Sequence, residues 1–268
     1  MVVASAAASA QTPQFEVASV KPSEPGRLNG NGISGGPGTK DPGLFICDNA
    51  RLVDLALVAY GLPWYRFSGP SWMNTARFDI SARIPEGATK KQFKLMQQNL
   101  LIERFKMTFH HEQKELPAYD LVVAKNGPKL KEADPPPPED PDGPKPPLAP
   151  PTRKLDKDGF PILPTGREWR TDMDGPRWVQ RFTDASMEDF ARYAATIVGQ
   201  PVNDATGLKG KYDFILKWIN DRGRPSTDDS GPNVFEALPA QLGLKLEPKK
   251  TMIDVLVVDH IEKSPTEN

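Results

Sequence analysis

Apolar residues recur with helical spacing in two matching stretches of the chain. In the first, Leu52, Leu55, Ala56 and Ala59 share one face of a segment that ends at Tyr60, and Gly61 follows. A glycine directly after the last periodic residue is typical of a helix stop, and Asn49 precedes the segment as a candidate cap. The first pattern therefore predicts a helix from Asn49 to Tyr60.

The second stretch repeats this pattern in the other half of the chain. Ser186 is the candidate cap, Gly199 is the candidate stop, and Met187, Phe190, Ala194 and Ile197 share one face of a segment that ends at Val198. This spacing predicts a second helix of similar length.

A short motif with strand-like alternation follows each of these helices. The first half contains Arg77-Phe78-Asp79-Ile80 and the second contains Lys211-Tyr212-Asp213-Phe214. Both motifs read basic, aromatic, aspartate, apolar. Counted from Leu52 and Met187, they fall within one residue of the same distance. Each predicts a half-buried strand, and Phe15–Val20 predicts one further strand in the first half.

A second helix is predicted after each motif. Thr89 and Gln92 form a capping box in the first half, and Asn233 and Glu236 form its counterpart in the second. Pro239 lies inside the second of these helices, where a proline removes a backbone donor. We expect that helix either to kink at Pro239 or to begin later.

Each half then ends in alternating apolar segments that predict two strands. These are Phe105–His111 with Tyr119–Lys125 in the first half, and Leu244–Pro248 with Val255–Ile261 in the second. The predicted fold class is therefore α+β: two similar β-α-β-α-β-β lobes from an internal duplication, with helices packed on small mixed sheets. The expected lobes are residues 11–132 and residues 178–268.

The lobes are joined by a proline-rich, irregular linker, expected over residues 133–177. Ten of the nineteen residues between Ala133 and Pro151 are proline, which favours an extended, semi-rigid spacer. Within the linker, Asp156 to Gly159 resembles part of a calcium loop but lacks the third acidic ligand and the distal glutamate. A turn is the better interpretation.

The first residues predict the cellular location of the protein. Ala8 and Ala10 form a cleavage site of the A-x-A type and Gln11 is a plausible mature N-terminus, so residues 1–10 are interpreted as a signal-peptide remnant. The alternative is an alanine-rich end with no targeting role. We expect a periplasmic or secreted protein. No apolar run reaches the ~20 residues of a membrane-spanning helix, and the net charge of −1 argues against a nucleic-acid partner.

Residues that could carry chemistry are few. The single cysteine, Cys47, lies in a predicted strand and is interpreted as a buried apolar residue. His110 and His111 are adjacent on a predicted strand, so their side chains point to opposite faces and cannot share a metal. The glycine-rich stretch Gly30–Gly38 lacks the lysine of a phosphate loop and is expected to be a loop. We predict no metal site, no cofactor and no catalytic residue.

Two carboxylates occupy equivalent places in the halves. Asp79 and Asp213 could form a glycosidase pair, but each belongs to its own copy of the motif. The favoured interpretation is structural: each accepts hydrogen bonds from backbone N–H groups of the preceding loop.

One aromatic cluster is the candidate binding site. Trp64, Tyr65 and Arg66 are consecutive, and Trp72 follows closely. Trp and Tyr dominate binding hot spots because they supply large contact areas at low entropic cost. Trp72 is expected to fill the core beneath the loop. For Trp64 and Tyr65 two alternatives stay open, namely recognition and coverage of an apolar edge.

Eight segments spread along the chain carry a resemblance to a known family. The segments are FEVASVKPS (Phe15–Ser23), GPSWMNTARFDI (Gly69–Ile80), LLIERFKMTFHHE (Leu100–Glu112), GPKL (Gly127–Leu130), DKDGFPILP (Asp156–Pro164), PVNDATGLKGKYDF (Pro201–Phe214), QLGLKLE (Gln241–Glu247) and VVDHIEKSPTEN (Val257–Asn268). Taken together they resemble a family of exported bacterial proteins described as soil-associated, which contain a domain of unknown function. The resemblance implies export but carries no activity or catalytic residue, and related domains occur fused to membrane metallopeptidases of the antibiotic-sensor type.

The function expected from the sequence is therefore a non-enzymatic recognition module. Its partner would be a protein, peptide or glycan outside the cytoplasm, while the oligomeric state cannot be predicted. Two alternatives stay open. One is a hydrolase whose site is assembled between the lobes, and the other is an envelope-assembly part that pairs with a partner through a sheet edge.

Overall fold

The computed structural model describes residues 12–24, 26–27, 30, 32–134, 154–164, 169–220 and 231–266. They form an α+β protein. The chain divides into two compact units: the first lies within Met1–Lys114 and Met252–Asn268, and the second within Glu115–Thr251. The predicted lobes divide the chain differently, because the last residues belong to the first unit. The signal-peptide remnant and most of the proline-rich stretch lie outside the described residues.

The described elements alternate between short strands and helices. Single 3₁₀ turns cover Trp64–Arg66 and Ser71–Asn74, and a π-helical turn covers Leu238–Leu242. In chain order the elements are β1 (Val17–Pro22), β2 (Gly32–Gly35), β3 (Leu44–Arg51), α1 (Leu52–Tyr60), β4 (Phe67–Ser68), β5 (Arg77–Arg83), α2 (Lys90–Phe105), β6 (Thr108–Val123), β7 (Lys131–Glu132), β8 (Arg170–Asp174), β9 (Arg177–Ala185), α3 (Met187–Val198), β10 (Val202–Asp204), β11 (Tyr212–Ile219), α4 (Val234–Ala237) and β12 (Leu244–His260).

The first unit contains an antiparallel sheet in the order β1-β5-β3-β2. Alternate residues of β5 are buried, as period-2 patterning requires: Phe78, Ile80 and Ala82 are all almost inaccessible. They pack against the apolar faces of α1 and α2. The helix residues in this core are Leu52, Leu55, Ala56, Ala59, Met96, Leu100, Leu101 and Phe105.

The second unit contains an antiparallel sheet in the order β7-β11-β9-β8. Phe182 of β9 and Phe214 of β11 stack with their ring centroids 4.6 Å apart, and Phe190 of α3 meets both rings edge-on. Such aromatic pairs stabilise a core beyond the area they bury. The core of this unit therefore centres on three phenylalanines.

A third, mixed sheet has the order β10-β6-β12-β4. In it β10 runs parallel to β6, and β4 runs parallel to β12. β6 and β12 are each continuous where two strands had been predicted, and the boundary between the units falls within both. The prediction of separate strands was wrong because the polar residues in the middle of each strand interrupt the apolar alternation on which it was based. In β12 they form cross-strand ion pairs instead, Lys249 with Asp120 and Lys250 with Glu115.

Local signals set most helix ends as expected. Thr89 and Asn233 form the predicted capping boxes with Gln92 and Glu236. Ser186, predicted as a cap, also forms a capping box, with Asp189 as its reciprocal partner. Gly61 and Gly199 end α1 and α3 in the left-handed conformation, at φ of 64° and 69°. Side chains at N-caps and glycine at C′ satisfy backbone groups that helix ends leave unpaired.

Asn49 corrects one prediction. It does not cap α1; it lies within β3 with a positive φ of 55°, at a register shift between Cys47 and Ala50. The N-cap of α1 is Arg51, which makes no side-chain capping hydrogen bond. Asparagine tolerates the left-handed region better than most residues, which explains its use at this bulge.

Pro239 is accommodated by a change of helix type. α4 ends at Ala237, and the π-helical turn Leu238–Leu242 carries the proline near its start. The turn closes with Gly243 N–H donating to the Leu238 carbonyl. A wider turn relieves the clash and the missing donor that a proline brings to an α-helix.

The glycine-rich stretch also differs from its prediction. It was expected to be a loop, yet Gly32–Gly35 forms strand β2, paired antiparallel with β3 from Gly32–Asp48 to Gly35–Phe45. Glycine lowers strand propensity, but it does not prevent pairing with a well-ordered neighbour.

Candidate functional site

The candidate binding residues lie on a short turn, here called the aromatic turn (Trp64–Arg66), between the end of α1 and β4. Pro63 precedes it in an extended conformation that suits its fixed φ. Trp64 is 58% exposed, whereas Tyr65 is half-buried. Their rings meet nearly perpendicularly, with centroids 6.2 Å apart. Burial raises the pKa of Tyr65, with Arg66 opposing the shift.

Arg66 fixes the turn to β12. Its Nε donates to the Asp254 carbonyl at 2.9 Å, and its Nη2 donates to Asp254 Oδ2 at 3.0 Å. His111 Nδ1 lies 2.9 Å from the same carboxylate oxygen. The hydrogen bond with His111, followed by contacts with Arg66, lowers the pKa of Asp254. The guanidinium group of Arg66 donates to both the carbonyl and the carboxylate of Asp254, and these two hydrogen bonds hold the aromatic turn in one orientation.

Trp72 lies apart from the aromatic turn, on the next 3₁₀ turn. It is partly buried against the core of the first unit, and Lys263 Nζ lies 5.9 Å from its ring centroid. The structure thus brings Trp64, Tyr65 and Arg66 together, and places Trp72 mainly as a packing residue.

Sequence reasoning missed Asp254 and His111 as neighbours of the aromatic turn. Asp254 lies 188 positions and His111 lies 45 positions from Arg66. The sequence around Arg66 therefore gives no sign of either residue. Only the pairing of β4 with β12, from Phe67–Leu256 to Ser68–Val257, brings Asp254 close. No local pattern encodes such a contact.

The histidines do not converge. His110 Nδ1 lies 2.8 Å from Asp259, while His111 contacts Asp254. Adjacent strand residues point to opposite faces, so each imidazole has its own carboxylate. Across the described part of the chain, no group of three or more His, Cys, Asp or Glu side chains is placed to hold a metal ion.

Asp79 and Asp213 accept backbone hydrogen bonds. Asp79 Oδ1 accepts from the N–H of Asn49 at 2.7 Å, and Asp213 Oδ1 accepts from the N–H of Asp184 at 2.8 Å. Asp184 also has a positive φ, of 50°. Both carboxylates therefore fasten a left-handed residue just before a helix. The sequence predicted that they accept backbone N–H groups, but it placed the donors in the preceding loop, whereas they lie in β3 and β9.

Two further sequence features have structural roles. Cys47 is buried, and desolvation raises the pKa of its thiol to about 12, with Asp79 adding to the shift. A thiol with such a pKa stays protonated and unreactive at neutral pH. Asp156 closes a turn by accepting from the N–H groups of Asp158 and Phe160, both at 2.9 Å, and it pairs with Lys217.

Comparison with known proteins identifies the class. A family model described as "Protein of unknown function (DUF3738)" matches residues 54–261, so the chain belongs to that family. Neither the curated proteins nor the solved structures gave a match. Among the described residues, no helix is long and apolar enough to cross a membrane.

Proposed function

We propose that this protein is an exported recognition module that binds a protein, peptide or glycan through the aromatic turn. One observation carries the proposal: Trp64 is mostly exposed on a turn that Arg66 anchors to Asp254. Tryptophan is enriched in binding hot spots, and an anchored turn presents its side chain at a low ordering cost on binding. Loops on a stable scaffold commonly carry recognition residues.

The proposed location is periplasmic or secreted. It is supported by the A-x-A pattern at Ala8 and Ala10 and by the resemblance to exported soil-associated proteins. Mass spectrometry of the protein recovered from the native host tests it. We expect a mature N-terminus at or near Gln11, and recovery of uncleaved protein from the cytosol alone would contradict export.

We also propose that the two units arose by internal duplication. The sheet orders β1-β5-β3-β2 and β7-β11-β9-β8 support this, because strands at corresponding chain positions occupy corresponding places. The paired hydrogen bonds of Asp79 and Asp213 give independent support. If the copies share one scaffold, a feature present in only one of them is a candidate for function.

A matched pair of variants tests recognition. Trp64→Ala removes the exposed ring, whereas Trp169→Ala removes a tryptophan that is 42% exposed in the second unit. Wild type and both variants are screened on glycan and peptide arrays. We expect a ligand that wild type and Trp169→Ala retain and that Trp64→Ala loses, since hot-spot aromatics contribute ~2 kcal/mol or more to binding. A ligand set unaffected by Trp64→Ala would refute the proposal.

The structure also favours one alternative, pairing through a sheet edge. β8 is an edge strand of its sheet and is five residues long. Natural edges are usually protected by charge, proline or bulges, and β8 carries the charged residues Arg170, Asp172 and Asp174. Between them Met173 is 58% exposed, and this apolar side chain is the candidate contact for a pairing partner. Loss of partner binding with Met173→Lys but not with Trp64→Ala would select this alternative.

A further inference from the structure

His111 shares a carboxylate oxygen with the anchor of the aromatic turn. Its Nδ1 lies 2.9 Å from Asp254 Oδ2, and the same oxygen accepts from Arg66 Nη2 at 3.0 Å. An ionised carboxylate only accepts hydrogen bonds, so a neutral His111 carries its proton on Nδ1 in this contact. Nε2 is then unprotonated, on a side chain that is 51% exposed. A group able to take up a proton therefore lies beside the proposed binding surface.

The elements packed around His111 keep fixed charges in weak acid. β12 contributes Asp254, whose pKa is lowered by the hydrogen bond with His111 and by Arg66, so this carboxylate stays ionised. The aromatic turn contributes Arg66 and Tyr65, and burial raises the pKa of the Tyr65 hydroxyl, which stays neutral. On its own strand His111 meets the Phe109 ring edge-on, at 6.0 Å between centroids. Protonation of His111 therefore changes a charge that these neighbours do not offset.

The other ionisable groups near His111 on β6 lie on the opposite face. Side chains alternate along a strand, so His110, Glu112 and Lys114 point away from His111. His110 Nδ1 lies 2.8 Å from its own carboxylate, Asp259, and Lys114 Nζ lies 3.1 Å from Glu112 Oε2. The chain thus offers a matched His–Asp pair on the face that does not carry the anchor of the aromatic turn.

Uptake of a proton by His111 changes the charge and the hydrogen bonding of this surface. While the imidazole is neutral, the charges of Arg66 and Asp254 cancel. The imidazolium adds one positive charge and turns Nε2 from an acceptor into a donor. Histidine is the side chain whose charge ordinarily changes between about pH 5 and pH 8.

We propose that the aromatic turn is a pH-dependent binding surface, on which protonated His111 favours ligands that carry carboxylate groups. A carboxylate accepts from the Nε2–H of the imidazolium and is attracted by the added charge, while the exposed Trp64 ring supplies apolar contact. The proposal rests on the proposed function, since it assigns a ligand class and a regulation to the same surface.

The first test measures the local charge without a ligand. Iodide is an anionic quencher of tryptophan fluorescence and acrylamide is a neutral one, and the signal of Trp64 is the difference between each protein and its Trp64→Phe counterpart. A unit charge about 10 Å away changes the local anion concentration about twofold at low salt. We expect the ratio of iodide to acrylamide quenching of Trp64 to rise about twofold from about pH 8 to about pH 5.5.

Substitutions of the two histidines assign the change to one face of β6. His111→Asn keeps a donor for Asp254 but takes up no proton in this range, so it should abolish the rise. His110→Asn is the matched control and should retain it. Circular dichroism shows that each variant keeps its fold, and His111→Gln replaces His111→Asn if that variant does not. Absence of the rise in the wild type, or its persistence without His111, would overturn the proposal.

The second test measures the ligand class with two carboxylate-rich probes. Hexa-aspartate supplies the carboxylates from a peptide and trigalacturonate supplies them from a glycan, so the two titrations distinguish the source. We expect at least one probe to bind about threefold or more tightly at about pH 5.5 than at about pH 8, and to lose this difference in His111→Asn. Binding of neither probe, or equal binding at both pH values, would overturn the assignment of a carboxylate ligand.

Failure here is distinguishable from failure of the proposed function. An array ligand that depends on Trp64 but binds equally at both pH values would leave recognition standing and remove the pH dependence. An iodide response that depends on His111, found together with no array ligand that depends on Trp64, would refute the proposed function and the ligand class assigned to it.

Discussion

The two units differ most where each first helix ends. Trp64 stands twelve residues after Leu52, the first residue of α1, and Gly199 stands twelve residues after Met187, the first residue of α3. The second unit uses this stretch for one more helical turn, whereas the first unit ends its helix early and forms the aromatic turn. Under the proposed duplication, one divergent loop on a shared scaffold is the pattern expected when recognition is added to a stable fold.

The junction before each helix shows the opposite behaviour. Asn49 and Asp184 both stand three residues before the helix, both adopt positive φ, and both donate their N–H to an aspartate. The basic residue of each motif reaches the same place: Arg77 donates to the Asn49 carbonyl at 2.7 Å, and Lys211 donates to Asp184 Oδ2 at 2.6 Å. Arg77 and Lys211 thus bind different groups of Asn49 and Asp184, although both of these residues have the same left-handed backbone conformation.

The largest effect should come from core positions that correspond but differ in size. Phe182 and Cys47 each stand five residues before their helix, and both are fully buried. Phe182→Ala leaves a large cavity beside Phe190 and Phe214 and should lower the free energy of unfolding by about 3–5 kcal/mol. Cys47→Ala should cost about 1 kcal/mol. Urea denaturation measures the free energy of unfolding of both variants. Similar losses for Phe182→Ala and Cys47→Ala would contradict the expectation that the larger buried side chain contributes more to its core.

An intermediate effect is expected at the paired aspartates. Asp79→Ala should cost about 2–3 kcal/mol, because it leaves the N–H of Asn49, a residue that is 4% exposed, without its acceptor. Asp213→Ala should cost about 1–2 kcal/mol, since Asp184 is less buried. Asp79→Asn and Asp213→Asn keep an acceptor oxygen and serve as controls. Thermal unfolding ranks the four variants, and a larger loss for Asp213→Ala would reverse the comparison.

The smallest changes in stability are expected at the helix caps, where one substitution should lower the stability and the other should raise it. Ser186→Ala removes the capping box with Asp189 and should cost about 1 kcal/mol. Arg51 precedes α1 with similar backbone angles and with Asp54 at the position of Asp189, yet it makes no cap. Arg51→Ser should complete a capping box and stabilise the protein by about 0.5–1 kcal/mol. Arg51→Ala is the control, and a loss of stability with Arg51→Ser relative to it would contradict this account.

The sequence alone determined the local structure well. Capping boxes, glycine stops and the basic–aromatic–Asp–apolar motifs predicted most helix ends and two central strands, because those signals depend on residues within one or two turns of each other. It also indicated that Trp64, Tyr65 and Arg66 lie on a loop, where the structure has a 3₁₀ turn. The exposure of Trp64 could not be predicted, since burial depends on what packs over a residue.

The tertiary structure decided features that depend on distant residues. Asn49 became a bulge in β3 rather than a cap because Asp79, thirty positions away, accepts its N–H. β6 and β12 continue through the polar residues that separate their apolar segments, and ion pairs join the two strands there, Lys249 with Asp120 and Lys250 with Glu115. The aromatic turn acquired its anchor only when β4 paired with β12 and brought Asp254 to Arg66. Local propensity fixes where elements begin and end, whereas pairing between strands far apart in the chain fixes which side chains meet.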